Sequence, residues 1–219
     1  MKIFFREYRI EILVFGAAFV ARLLALAYGV LHYGNGILQL SDSQAFLDLA
    51  RAVASGYGYS RDGGLTAFVL RPPGYSFYLA GFFWLFNRFW PAILGQVALS
   101  SFVPVFLVRL GKNLMMDSRT VFWAALITAL EPHLVIYSIT YMSEALFGFL
   151  FLASIFYFFR FLCEDALQFL FVSSVLLGIS AYVRPVSNYL FFLYPTVMLY
   201  YWWGAKDTFR NLLPKVFFV

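Results

Sequence analysis

Long apolar runs separated by short polar breaks dominate the chain, and only one break is wide. Runs of spanning length fall at about 10–31, 91–110, 120–139, 142–160, 166–183 and 185–203. Each is near the ~20 apolar residues that a hydrocarbon core of ~30 Å requires of a helix. The wide break, SDSQAFLDLARAVASGYGYSRDGGLTAFVLRPPGY at 41–75, carries Asp42, Asp48, Arg51, Arg61, Asp62 and Arg71. Within it Ala45, Phe46, Leu49, Ala50 and Val53 recur at helical spacing and predict a short amphipathic helix. The pattern therefore predicts an all-α polytopic membrane protein with about six transmembrane helices. No linker, repeat or low-complexity tract divides it, so residues 1–219 read as one membrane domain, with a first external loop of interfacial helices at 32–90 and a helical bundle at 91–203.

The segment PPGYSFYLAGFFWLFN at 72–87 decides the topology. It is short for a span, and its neighbourhood holds Tyr78, Trp84 and Trp90, aromatics suited to a headgroup layer. If it lies in the outer interface, four basic groups fall on the cytoplasmic side: Lys2, Arg6 and Arg9; Arg109, Lys112 and Arg119; Arg160; and Lys206, Arg210 and Lys215. If it spans, as a short tilted helix running to Trp90 or beyond, that regularity is lost. The interfacial reading puts the N-terminus in the cytoplasm and the polar break outside. The first apolar run is longer than a signal-peptide core and lacks a clear cleavage site, so it reads as a retained span.

Composition closes off other classes. With 63% hydrophobic and 12% charged residues and a mean hydropathy of +0.79, the chain is unlike a soluble domain, where roughly 25% of residues are charged. The net charge of +5 comes from Lys and Arg scattered at the ends of apolar runs rather than gathered on one face, which argues against nucleic acid as a partner. A single cysteine, Cys163, excludes an internal disulfide and a Cys-rich metal cluster.

Candidate chemistry gathers on the outer side. Asp42 has two readings: part of a helix start, with Ser41 and Gln44 forming a capping box, or an acid available to substrate. Asp48 and Arg51 read as a solvated i,i+3 pair, and GYGYSRDGG matches no phosphate-loop spacing. In RPPGY at 71–75 the prolines fix an extended approach and Gly74 allows a tight turn into a helix. Arg71 ahead of it suits either bidentate phosphate binding or a headgroup anchor. Tyr75 joins it as a substrate-binding candidate. Glu144 opens a span in YMSEALFGFL beside Ser143, and reads as a cap or as a functional acid.

Glu131 and His133 flank Pro132, where an opened helix would let both face a cavity rather than lipid. Arg184, before Pro185 at an outer turn, needs a cavity or an anionic partner. Asp42 and Glu144 are thus the catalytic candidates, while Arg71, Tyr75, Arg184, Glu131 and His133 are the substrate-binding candidates. A carboxylate would serve as general base while arginines hold a leaving phosphate. His32 and His133 are isolated, and no metal-ligand spacing is present, leaving a divalent cation between Asp42 and Glu144 as the possible cofactor.

Taken in order, SDSQAFLDLA, SGYGYS, RPPGYSFYLA, SEALF and LGISAYVRP resemble the polyprenyl-phosphate-sugar-dependent glycosyltransferases of the GT-C fold, over about residues 8–203. The protein mannosyltransferase and aminoarabinose transferase group is the most similar in these motifs. The resemblance implies that the acid of the first external loop, a base or metal ligand, is Asp42, and that a second is Glu144. It implies arginines near the lipid phosphate, assigned to Arg71 and Arg184, and first-loop helices lying flat on the membrane. The implied reaction is an inverting transfer of sugar from a polyprenyl phosphate to an acceptor outside the cytoplasm, in a bacterial plasma membrane. Partners would be that lipid-linked sugar and membrane lipids. Family members usually continue through further spans, so a C-terminal continuation or a partner subunit is expected too. The alternative is a truncated, non-catalytic protein that binds or moves a lipid-linked substrate; a transporter would show inverted repeats, and none is visible.

Overall fold

The computed structural model describes residues 8–60 and 71–200, and among these there are helices and turns but no strand. The first helix, α1, covers Arg9–Tyr33 and ends where Gly34 takes a left-handed φ of 64°. A 3-10 turn, Gly34–Leu38, leads to α2, Ser43–Ala54, and then α3, Gly74–Phe86. There follow α4 (Trp90–Ser101), α5 (Val103–Asn113), α6 (Ser118–Leu130), α7 (Pro132–Ile139), α8 (Glu144–Glu164) and α9 (Leu167–Val183). A second 3-10 turn, Pro185–Tyr189, precedes α10, Leu190–Tyr200, which contains Pro195. Residues 201–203 of the last expected run, and the basic residues at 2, 6, 206, 210 and 215, lie outside the described residues.

Over its described residues every expected apolar run is helical, but the runs are not equally long. Arg9–Leu38, Trp90–Asn113 and Glu144–Glu164 are long and apolar enough to cross a membrane, and α6 with α7 adds a fourth if the bent pair is one span. Helix α9, at 17 residues, is shorter. The run at 91–110 is two helices meeting at Phe102, because Pro104 has no N–H to continue the ladder across the junction. The run at 120–139 bends by 46° at Glu131. Pro132 removes another donor and drives Glu131 to an extended ψ of 122°. The break expected at Pro132 is therefore present.

The largest apolar core lies beneath the polar break and gathers Leu38, Phe46, Tyr75, Leu79, Val97, Tyr141 and Val183. Helices α2 and α3 pack on each other, and α3 is seated on α4 and α9. At 13 residues α3 is about 20 Å long, less than a hydrocarbon core. It buries Tyr75, Ser76, Leu79 and Ala80 and exposes Phe77, Trp84, Leu85 and Phe86. Deeper in the bundle, hydroxyls join α8, α9 and α10. Ser154 Oγ donates to Ser173 O at 3.0 Å, Ser173 Oγ to Ser154 O at 2.8 Å, and Tyr194 Oη lies 3.0 Å from Ser154 Oγ.

Charge is polarised along the bundle. At one end Lys112 Nζ donates to Glu11 Oε1 at 2.7 Å and Arg109 lies over the Tyr8 ring. The first turn of α1 thus meets the last turn of α5, and Arg9, Arg109 and Lys112 share that end. Arg71 and Arg184 are paired with acids at the other. One basic residue departs from the expectation that Lys and Arg sit at the ends of apolar runs: Arg22, in the middle of α1, is 1% exposed.

Gly74 fixes how closely α3 approaches α9. A Cβ there would lie 2.8 Å from both the carbonyl carbon and oxygen of Tyr182 and 3.0 Å from Val183 Cγ2. Backbone atoms cannot swing away as a side-chain tip can, so Gly74→Ala is expected to cost about 1–3 kcal/mol. The expected result is a lower melting temperature in detergent, with Gly81→Ala, whose added methyl meets nothing within 4 Å, unchanged or slightly raised.

Candidate functional site

Asp42 stands at the N-cap position of α2, yet its side chain makes no capping bond. The expected Ser41–Gln44 capping box does not form: Leu40 N donates to Ser43 Oγ at 2.8 Å, and Gln44 Nε2 donates to Asp48 Oδ1 at 2.7 Å. Arg71 draws the Asp42 carboxylate away, with Nη2 donating to Oδ1 at 2.8 Å. With both partners ionised, this bond takes the carboxylate in preference to a cap whose donor is a neutral backbone N–H. Asp48 and Arg51 form the expected exposed pair at 3.1 Å.

The fold presents Arg71 through its backbone. The Tyr59 hydroxyl, shared between the carbonyls of Arg71 at 3.1 Å and Pro72 at 3.2 Å, pins the strand of chain ahead of α3. The guanidinium also lies over the Phe46 ring, 5.2 Å from its centroid. The hydrogen bond from Arg71 holds the Asp42 carboxyl below the usual carboxylate range, and the arginine's own pKa rises in return. Asp42 keeps 44% of its side chain exposed, so an approaching group can reach it.

A second acid–arginine pair lies beside α9. Arg184 closes α9 in extended conformation because Pro185 follows, and its Nη1 forms an ion pair with Glu144 Oε1 at 2.6 Å. Glu144 is the first residue of α8, where the helix dipole favours an acid, while Ser143 makes no side-chain cap. The other oxygen, Oε2, is buried without a hydrogen-bond partner. Glu144 lines a cavity of about 40 Å³ with Arg22, Ser100 and Tyr137, a space large enough for water.

Gly74 and a buried polar relay join the two pairs. Gly74 follows Arg71 by three residues and touches the backbone just before Arg184, so one close approach sets both arginines. Tyr75, a substrate-binding candidate in sequence, has no exposed surface, and its hydroxyl donates to Gln96 Oε1 at 2.9 Å. Burial first, then the neighbouring Tyr78, Tyr141 and Glu144, push its phenol pKa well above the ordinary value, so it remains a donor. Gln96 Nε2 in turn donates to Tyr137 O at 2.7 Å and Thr140 O at 2.8 Å. Tyr141 N donates to Leu38 O at 2.8 Å, tying the approach to α8 onto the turn before Asp42.

Glu131 and His133 lie elsewhere in the network. Glu131 caps α7 by accepting from Leu134 N at 2.6 Å and meets His133 Nδ1 at 2.9 Å, with His133 largely exposed. No described hydrogen bond or ion pair links them to either acid–arginine pair. Among the described residues no three His, Cys, Asp or Glu side chains are grouped to hold a metal ion. Asp42 and Glu144 each already carry a guanidinium counter-charge, so the donor set does not fit a divalent cation. Sequence reasoning missed Arg22, Gln96 and Tyr59. Arg22 donates from Nε to Ser100 Oγ at 3.0 Å and from Nη1 to Ala18 O at 3.0 Å and Ala129 O at 2.8 Å. For Arg22 and Gln96 the available signal was a lone polar residue inside an apolar run.

A family model described as dolichyl-phosphate-mannose-protein mannosyltransferase matches residues 70–219, a stretch that contains Arg71, Tyr75, Glu131, His133, Glu144 and Arg184. Searches of curated proteins and of solved structures gave no match. The chain belongs to this family, whose members are membrane glycosyltransferases of the GT-C type.

A double-mutant cycle measures what the Glu144–Arg184 pair contributes. Glu144→Gln and Arg184→Gln, singly and together, are expected to show a coupling of about 0.5–3 kcal/mol in thermal unfolding. The exposed Asp48–Arg51 pair should couple by no more than about 0.5 kcal/mol. Equal couplings would mean that the Glu144–Arg184 contact is no stronger than a surface pair.

Proposed function

We propose that this chain, as a member of that family, transfers a sugar from a polyprenyl phosphate to a nucleophilic acceptor at the extracytoplasmic face of the membrane. The observation that carries the reading is the pairing of an accessible carboxylate, Asp42, with Arg71, on a segment whose backbone abuts the residues before Arg184. In the reaction the acceptor oxygen or nitrogen forms a bond to the anomeric carbon as the bond from that carbon to the phosphate oxygen breaks. The electron pair leaves on the phosphate and the acceptor proton passes to Asp42, with inversion at carbon. The donor phosphate begins with one negative charge and departs with nearly two. Guanidinium groups at that position therefore bind the transition state more strongly than the ground state, which is the condition for acceleration.

The same pairing supplies a sequence of events. While Asp42 is bound to Arg71 its proton affinity is low, which makes it a weak base. A phosphate that takes the Arg71 N–H groups releases the carboxylate, and its proton affinity rises as the acceptor arrives. Donor binding thus arms the base. Glu144 and Arg184 form the second such pair, with Arg184 as the further phosphate ligand and Glu144 orienting it.

Three measurements test this reading. Asp42→Asn is expected to abolish transfer of radiolabelled sugar from a polyprenyl-phosphate donor while the protein stays folded in the membrane. Full activity would remove Asp42 from the mechanism, and donor binding without turnover by the unaltered protein would indicate a binding function. Arg71→Gln should lower kcat/KM about 10–100-fold, the scale of one charge-assisted hydrogen bond. It should also move the acid limb of the pH profile. Asp42 acts as the carboxylate, which is lost as pH falls through its pKa; removing Arg71 raises that pKa, so activity is lost at a higher pH. An unmoved limb would uncouple Arg71 from Asp42. For the side of the membrane, Asn113→Cys in a Cys163→Ser background should label only from the cytoplasm, and labelling from outside would reverse the orientation.

A further inference from the structure

At the end of the bundle away from the two acid–arginine pairs, a cavity of about 350 Å³ opens between the first turns of α1 and the body of α5. Its walls change character with depth. Glu11 and Arg109 line the outer end, while Ile12, Phe15, Phe102 and Val105 line the part that continues toward the middle of the bundle. Phe15 lies one helical turn beyond Glu11, and Phe102 lies two turns before Arg109, so both helices run from charged to apolar in the same direction. The gradient matches that of a lipid lying alongside them, headgroup outward and acyl chain inward.

Glu11 makes the cavity chemically selective. It is 5% exposed and lines the cavity, and although Oε1 accepts from Lys112, the second oxygen, Oε2, is buried without a hydrogen-bond partner. A buried carboxylate oxygen calls for a donor. Arg109, whose guanidinium lies over the Tyr8 ring 5.9 Å from the centroid, supplies a cation at the same rim. The cavity therefore offers an anionic acceptor and a cationic donor side by side above an apolar trough.

We propose that this cavity binds a zwitterionic phospholipid with a primary ammonium headgroup, the ammonium donating to Glu11 Oε2, the phosphate meeting Arg109 and an acyl chain lying along Phe15 and Phe102. A quaternary ammonium has no N–H to donate to Oε2. A headgroup that presents only hydroxyls satisfies the hydrogen bond without the charge. The proposal does not rest on the glycosyltransferase reading, and the cavity lies at the opposite end of the bundle from Asp42.

The test uses the delipidated full chain in mild detergent, offered an equimolar mixture of phosphatidylethanolamine, phosphatidylcholine and phosphatidylglycerol with matched acyl chains. Bound lipids are counted by native mass spectrometry. Phosphatidylethanolamine should be retained about 10–100-fold over the other two, the scale of one charge-assisted hydrogen bond. Glu11→Gln should bring it down to the level of phosphatidylcholine. Because that change also takes a partner from Lys112, Ile12→Trp, which fills the trough and keeps the charges, provides an independent variant and should lower retention equally. No preference in the unaltered protein, a preference for either other lipid, or a phosphatidylethanolamine preference that survives both variants overturns the proposal.

Discussion

Breaking a helix inside an apolar bundle releases carbonyls that need partners, and much of this structure follows from how they are found. Helix α6 stops at Leu130, ahead of Pro132, and α7 stops at Ile139, so two sets of terminal carbonyls lose their intrahelical donors. Arg22 supplies one donor, to Ala129 O; Gln96 supplies two, to Tyr137 O and Thr140 O. Each answer fixes something else. Arg22 holds α1 against α4 and α6, and Gln96, through its own carbonyl, holds the hydroxyl of Tyr75 in α3. Glu144 follows Thr140 by four residues, so its position is set by the same anchorage.

Outside that network, ion pairs decide which ends meet. Three of them join elements distant in the chain: Glu11 with Lys112, Asp42 with Arg71, and Glu144 with Arg184. Asp48 with Arg51 and Arg160 with Glu164 join neighbouring turns of one helix and carry little topological information. A chain with 12% charged residues thus places three of its pairs where helix ends must be matched. Two of these belong to the candidate site, where the same contacts that orient the helices also set the proton affinity of Asp42 and the direction of Arg184.

The sequence pattern was most informative where a property extends over many residues. The apolar runs at 10–31 and 142–160 correspond to α1 and α8 to within a few residues, because uninterrupted apolar length is itself the physical requirement for the helix. The break at Pro132 was also legible, since a missing N–H acts locally. Misreadings arose where a tertiary partner outcompeted a local one. The Ser41–Gln44 box is a sound local pattern, but nothing near Asp42 in sequence announces Arg71, 29 residues away. Tyr75 is a substrate-binding candidate in sequence yet is buried, with its hydroxyl partner Gln96 on another helix. Arg22 and Gln96 are single residues within apolar runs, and a run-length criterion averages over them.

Arg22 also sets an order on biogenesis. Its partners Ser100 and Ala129 lie 78 and 107 residues further along the chain. At roughly 5–20 residues per second, the last of them emerges several seconds or more after Arg22 itself. Until then α1 carries a guanidinium with only the Ala18 carbonyl of its own preceding turn, at a cost of about 2.5–3.5 kcal/mol near the centre of a helix in a bilayer. Helix α1 therefore reaches its final energy only after α4 and α6 have been made, and its hold on the membrane is completed by segments translated after it.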